Sequence, residues 1–401
     1  MLHCTYNVGA SRIFVSIPAA NMAKPRKSQP LHLRPEWGKH DHTVLVLQGG
    51  GALGAYQAGV YEGLAEAGAA PDWVAGVSIG AINAALIAGN VPEMRVARLR
   101  EFWERVSSGN PFIPPSALDP VRPAFNRLSA ATVATFGVPG FFVPRFPPPM
   151  LAPDGSLEAM SIYDTGPLKT TLTELVDFKL IKQKHVRLSV GAVEVHTGNS
   201  KYFDNTQMTL GPEHILASGS LPPGFPPVTI GGKQYWDGGI VSNTPLWYVL
   251  DDSPRMSALI LQVDLFSARG ELPQNLDQVL ERAKDIQYSS KTRFNTNRVK
   301  ELEEIRDALG RVLAKLPLKL RKDVDVGRLA KACKRGDISL IHLINRRYSH
   351  SASSKDYEFS RATVMDLWNS GLSAVRQSIA HPEWRNAMQG VGGMRVYDLS
   401  V

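Results

Sequence analysis

The stretch that most constrains this chain is Asp72-Trp-Val-Ala-Gly-Val-Ser-Ile-Gly-Ala-Ile-Asn-Ala-Ala-Leu-Ile-Ala-Gly89, where a short apolar run meets a serine and continues as an alanine-rich helical run. Ser78 stands at the junction, bracketed by Gly76 and Gly80 in a G-x-S-x-G pattern. A sharp strand-to-helix turn leaves no room for Cβ atoms beside the serine, and that is the mechanical use of the two glycines. Such a turn exposes the hydroxyl, and the following helix aims its first N–H groups at the same spot, where developing negative charge would be stabilised. Two plainer readings compete. Residues 73–91 are nearly uncharged over the length of a membrane span, and small residues around a serine also suit close helix packing. Gly76, Ser78, Gly80 and Asn83 interrupt the run and no basic flank follows it, which counts against a span. The pattern alone is common, so its meaning depends on partners elsewhere in the chain.

The first partner precedes it. Val44-Leu-Val-Leu-Gln48 has the continuous apolar character of a buried parallel strand, and it runs into Gly49-Gly50-Gly51-Ala52-Leu53-Gly54 and a helix ending near Gly68. A glycine loop at the C-terminal end of a strand presents free N–H groups to an anion. Gly49, Gly51 and Gly54 satisfy the dinucleotide fingerprint G-x-G-x-x-G, while the triple glycine equally supplies donors to an oxyanion. A dinucleotide site needs an acid at the end of the second strand to hold the ribose. Asp72 lies near that distance but begins its strand, and the other end carries Gly76-Val77-Ser78 instead, which favours the hydrolase reading.

The second partner follows. Residues 157–217 alternate helix and strand signals, and Val228–Trp236 reads as two short strands around a Gly231-Gly232 turn. Directly after the second arm stands Asp237-Gly238-Gly239. A carboxylate with two glycines behind it is free of crowding and could reach a serine on another strand. An exposed aspartate, with a pKa of about 3.9, is a poor base at neutral pH, but burial under an apolar cover would raise it. The plainer reading of Asp-Gly is an Asx turn.

Taken together, these pieces resemble the patatin-like phospholipase family, over roughly residues 43–265, with the glycine loop, G-x-S-x-G and D-G-G in the family's order. The resemblance implies a three-layer α/β/α fold with a mostly parallel central sheet. It also implies a Ser–Asp dyad without histidine, with Ser78 the nucleophile, Asp237 its activator and Gly49, Gly50 and Gly51 the oxyanion hole; Gly54, Gly76, Gly80, Gly238 and Gly239 support these motifs. The expected reaction is hydrolysis of lipid carboxylic esters, of phospholipase A or lipid acyl hydrolase type, with no metal and no cofactor. Leu53 stands where the family usually has Arg or Lys, so headgroup preference is not implied. Neutral glycerides, small acyl esters and storage polyester remain open as substrates.

The rest of the chain divides around this core. Residues 1–42 read as a disordered leader or as a start placed too early, with Met22 as the alternative start. Residues 43–284 form the catalytic domain, within which 107–153 carry 11 of the 28 prolines and six of the 14 phenylalanines. Proline at that density excludes regular helix, and the segment reads as an apolar lid or membrane-facing insertion, or else as a long connection packed on itself. Residues 285–401 resemble the α-rich C-terminal extension of a bacterial subgroup, with a strand at Ile338–Ile344.

Net charge is +8, concentrated in residues 282–347, which hold 18 Lys/Arg against 8 Asp/Glu. A basic appendage on a slightly acidic core suggests peripheral contact with an anionic membrane, against the alternative of a solvated helical face. Nucleic-acid-binding patterns are not present. Cys4 and Cys333, at opposite ends, offer no disulfide framework, which favours the cytoplasm. Three rivals stand: an α/β-hydrolase triad using His342, His350 or His381, a nucleotide-binding protein, and a non-catalytic membrane-binding module.

Overall fold

The computed structural model describes residues 40–109, 122–252, 257–289, 292–333, 336–346, 355–389 and 393–399. The leader, with both of its candidate starts, lies outside these as far as residue 39. Among the described residues the strands are β1 (His42–Leu47), β2 (Trp73–Val77), β3 (Val143–Pro144), β4 (Tyr163–Asp164), β5 (Arg187–Glu194), β6 (Ser200–Asp204), β7 (Val228–Ile230), β8 (Lys233–Asp237), β9 (Ala258–Asp264), β10 (Ile338–Ile344) and β11 (Met394–Asp398). Nine of them make one sheet in the order β11-β10-β9-β1-β2-β5-β8-β7, with β6 beside β5, while β3 and β4 form a small ribbon. From β11 through to β5 every pairing is parallel. Strands buried on both faces read as continuous apolar runs, which is why β1 and β9 show no alternation in the sequence.

The helices are α1 (Ala55–Glu66), α2 (Ile79–Ala88), α3 (Pro92–Val106), α4 (Arg122–Phe136), α5 (Gly166–Leu175), α6 (Phe178–Lys182), α7 (Pro212–Gly219), α8 (Leu246–Asp252), α9 (Leu276–Tyr288), α10 (Thr292–Ala314), α11 (Val324–Cys333), α12 (Arg361–Ala380) and α13 (Pro382–Met388). Alternate residues of β1 separate the two outer layers. Leu45 and Leu47 enter the larger core with α1, α2 and α12. Val44 and Val46 enter a smaller one capped by Leu246, Val249 and Leu250 of α8. The architecture is therefore three-layer α/β/α, as the resemblance implies.

Every residue of α2 is buried. A helix apolar on all sides belongs either in a membrane or in the centre of a protein, and here it is the central helix. The run at 73–91 is thus β2 followed by α2, and no helix among the described residues is long and apolar enough to cross a membrane.

Two expectations need correction. The Pro/Phe-rich segment does contain a regular helix, α4, because its prolines cluster before and after it; Pro123 occupies the first turn, where no intrahelical donor is required. Phe112 lies outside the described residues. The residues after 284 are also not a separate appendage. β10 pairs with β9 along its whole length and β11 with β10, so they complete the sheet. Without β10, the edge of β9 that faces away from β1, on a strand buried at all seven positions, would be left open.

α12 closes this arrangement by lying directly on α1. Small residues set the separation: a Cβ at Gly59 would strike the Trp368 carbonyl, and one at Gly371 the Tyr56 carbonyl. The contact is flanked by a bidentate Arg376–Glu66 pair, by the Trp368 indole donating to Glu62, and by the Arg100 guanidinium 4.7 Å from the Trp368 ring. Gly59→Val should therefore lower the unfolding free energy by about 2 kcal/mol or more, as overpacking of a rigid contact does. Chemical denaturation of the full chain checks this, and an unchanged midpoint would contradict it.

Candidate active site

β5 assembles the site by changing partners. Along Arg187–Gly191 it pairs with β2, so that Val77 lies opposite Gly191. One residue further on it pairs with β8, so that Asp237 lies opposite Ala192. The chain leaves β2 at Ser78 and leaves β8 just after Asp237, and both side chains reach the point where the sheet divides. Gly238 packs there against the Gly191 carbonyl and Val77, with no space for a Cβ. Ligands bind parallel sheets at such divisions, outside the strands' C-terminal ends.

The local turn presents the serine. Ser78 has φ 57°, ψ −126°, a left-handed conformation that costs energy for a residue with a Cβ. It is held from both sides: its N–H donates to Ser218 Oγ at 3.0 Å, and its carbonyl accepts from Ala81 and Ile82 in α2. Ser218 in turn donates to the Gly191 carbonyl at 2.6 Å, tying the turn to β5. Gly76 and Gly80 do what their spacing suggests, because a side chain at 76 would meet the Gly80 carbonyl and one at 80 the Leu47 carbonyl.

The glycine loop comes from the neighbouring strand. The Gly50 and Gly51 N–H groups donate to none of the described residues, whereas Gly49 N–H donates to the Asn243 carbonyl at 3.1 Å. Gly49 is therefore a spacer lying against Ser78 Cβ, not an oxyanion donor; the free donors of the triple glycine are Gly50 and Gly51. Gly54 is buried against Ile79 and Trp103. Asn83 fixes the loop from beneath, donating to the Gly54 carbonyl at 3.0 Å and to Gln57 while accepting from Trp103. Asp72 sits at the far end of β2 from the glycine loop, bonded to the Thr43 N–H and the His42 ring, so it does not take the ribose position of a dinucleotide site.

Asp237 is 2 % exposed. Burial pushes its carboxyl up from 3.8 to about 7, against the lowering effect of hydrogen bonds from the Ser78 hydroxyl and the Gly239 N–H. The Gly239 N–H bond, to Oδ1, is 2.7 Å long and fixes the carboxylate plane. No histidine lines the pocket among the described residues. His342 lies on β10 with Nδ1 3.6 Å from Asp264, His381 caps α13, and His350 is outside the described residues.

The sequence reading missed the side chains that brace this geometry. Asn243 Nδ2 donates to the Gly49 carbonyl at 3.0 Å and to the Tyr288 carbonyl at 2.9 Å. Gln48 donates to Thr244 and Tyr288 and accepts from Leu265 and Phe266, so one amide joins β1, β9 and α9. Asn243, in Val-Ser-Asn-Thr-Pro, was in plain view but had no motif to mark it. Above Ser78 and Asp237 the pocket is aromatic, with Phe141, Phe142, Tyr163, Phe225 and Phe359 as its walls. Phe142 packs 5.2 Å from Phe225 and 4.7 Å from Tyr163, ring to ring. Two of the phenylalanines of the Pro/Phe-rich segment therefore line the site, while Phe136 and Phe146 are exposed.

A patatin-like phospholipase family model matches residues 45–250, more than half of the chain. The chain belongs to the patatin-like phospholipase family. That membership puts it among hydrolases of lipid esters. A second family model, described as patatin phospholipase, matches residues 286–390 of this patatin-like protein. Among solved structures it is similar to VipD from Legionella pneumophila, at 13% identity over 88% of this chain and 68% of that one, with a TM-score of 0.36, a likeness too loose to carry an argument. No curated protein matches it.

The raised carboxyl has a measurable cost in stability. Between its unfolded value of 3.8 and about 7 the unfolded chain releases this proton while the folded chain keeps it, so its contribution to stability falls as pH rises through that window and stays low above it. Asp237→Asn should raise the melting temperature at about pH 8 and leave it nearly unchanged at about pH 4. Equal shifts at both would show that the carboxyl is not held protonated by burial.

Proposed function

We propose that this protein is a serine acyl hydrolase that cleaves carboxylic esters of lipids through the Ser78–Asp237 dyad. The observation that carries this reading is the buried Asp237 in one pocket with Ser78, its carboxyl pushed up to about 7, a value suited to a general base near neutrality. In the attack step Ser78 Oγ bonds to the ester carbonyl carbon and its proton moves to Asp237. The Gly50 and Gly51 N–H groups, with the N-terminus of α2, face the oxyanion that forms. Collapse expels the alcohol, which takes the proton from Asp237 and leaves an acyl-serine. Water then attacks the acyl carbon and gives its proton to Asp237; collapse breaks the bond to Ser78 Oγ, which takes that proton back, and releases the acid. Nothing in this sequence of steps calls for a metal or an organic cofactor.

Lipid as the substrate class is supported by the aromatic pocket walls, which suit an acyl chain, and by the surface around them. Phe136, Phe146, Met150 and Leu151 are 71 to 95% exposed, on a segment whose inner side supplies Phe141 and Phe142. An apolar ridge next to an apolar pocket suits contact with a lipid surface. The basic region at 282–347 would add attraction to anionic headgroups.

Ser78→Ala and Asp237→Asn should each lower kcat on aryl esters and phospholipid vesicles by about 1,000-fold or more, as loss of a nucleophile or its base does. For wild type, kcat/KM should rise with pH through about 7 and level off above it, since the protonated carboxyl cannot accept the serine proton. Full activity of either variant, or a pH profile that falls through this range, would contradict the dyad.

A further inference from the structure

The match to the catalytic family model ends at residue 250, yet part of the pocket is built from residues beyond it. Asp356, Tyr357 and Phe359 come from one short turn, Lys355–Tyr357, and the residues directly after it. We propose that Lys355–Phe359 is a specificity-determining and positioning element of the active site: Phe359 and Tyr357 limit the acyl chain that the pocket accepts, and Asp356 braces the oxyanion loop at Gly51. The inference rests on the acyl-hydrolase reading and deepens it.

The contact with the loop is direct. Gly51 has φ 54°, and the Asp356 carbonyl stands where its side chain would be. The turn cannot drift away easily, because three anchors hold it. Lys284 Nζ of α9 lies 2.7 Å from Asp356 Oδ1, with both side chains mostly buried. Lys355 Nζ lies 3.1 Å from Glu281 and 2.6 Å from Asp285, also on α9. Glu358 accepts from Ser129 of α4 at 2.5 Å. α9 is itself tied back to the catalytic loops, since the Tyr288 carbonyl accepts from Gln48 at 3.1 Å and from Asn243 at 2.9 Å. Asn243 completes the circuit at the Gly49 carbonyl. The oxyanion loop is thus enclosed in a ring of contacts that runs through α9, Lys284, Asp356 and back to Gly51.

Phe359 closes the pocket from the same turn. It is 4 % exposed, stacks at 6.5 Å on Trp103 and lies 5.9 Å from Phe141. Its ring therefore meets both α3 and the Pro/Phe-rich segment, and removing it would lengthen the space available to an acyl chain. Tyr357 is 39% exposed, with Lys284 Nζ 5.3 Å from its ring. The ion pair that braces the loop also fixes this ring. Breaking one partner of a buried pair is more damaging than replacing it by a similar ion, because the remaining charge is left uncompensated.

The test is steady-state hydrolysis of p-nitrophenyl butyrate, octanoate and dodecanoate by the full chain and its variants, with melting curves alongside. Phe359→Ala should raise the ratio of kcat/KM for dodecanoate over butyrate by about 10-fold, the scale on which one or a few methylenes are discriminated, and Tyr357→Ala should shift it the same way. Phe359→Leu, which keeps an apolar side chain, gives a second reading if the alanine variant is poorly folded, and should shift the ratio less. Lys284→Met should lower kcat by about 10-fold on all three esters with KM within about twofold, as a transition-state contact does, and Lys284→Arg should restore it. An unmoved chain-length ratio in folded aromatic variants, or a Lys284→Met variant that changes KM and not kcat, would overturn the proposal while leaving the dyad intact. A wild type inert on every ester would remove the dyad reading and this proposal with it.

Discussion

The turn at Ser78 is the constraint from which the rest of the site follows. A non-glycine residue at φ 57° is tolerated only where the surroundings over-determine it. Here they do so through Ser218, through the first turn of α2 and through glycines at 76 and 80 that let three backbones meet. The arrangement needs β1, β2 and β5 in one parallel sheet, and it needs β5 to exchange β2 for β8 one residue past Gly191. That exchange sets Asp237 beside Ser78, although 158 positions separate them in the sequence. No long-range motif geometry is required beyond the sheet register itself.

A second physical tension runs through the site. Asp237 is buried deeply enough that its charge is disfavoured, yet the proposed mechanism needs it ionised. The glycine N–H and the serine hydroxyl offset part of that cost, and the balance falls near neutrality. A more solvated aspartate would be a weaker base, and a less hydrogen-bonded one would stay protonated. The destabilisation is carried by the surrounding core, where α2 is buried throughout and α12 is clasped to α1.

Much of this could be read from the chain alone. The glycine loop, the serine turn and Asp-Gly-Gly each carry a local mechanical reason for their residues, so their positions at strand ends were legible, and the family resemblance they carry implied the three-layer fold. Less visible were features that depend on contacts between distant segments. Gly49 looked equivalent to Gly50 and Gly51 until its N–H was seen donating to Asn243, a bond with no local signature. The proline count obscured α4, because proline position and not density decides whether a helix forms. The basic composition after residue 284 suggested an appendage, whereas the Ile338–Ile344 run belongs to the central sheet. A charge census describes the solvent-facing side of a segment and says nothing about the strand it delivers to the core. The same blindness hid Lys355–Phe359, a short turn that matters for what it touches.

The most direct test of the account is covalent trapping of the nucleophile with a long-chain alkyl fluorophosphonate, read by mass spectrometry of the digested protein across a pH series. A Ser78 nucleophile activated by Asp237 gives a single adduct, on the peptide carrying Ser78, forming at a rate that rises through about pH 7, strongly reduced in Asp237→Asn and absent in Ser78→Ala. An adduct on another residue, no adduct at all, or labelling that is indifferent to Asp237 would contradict it.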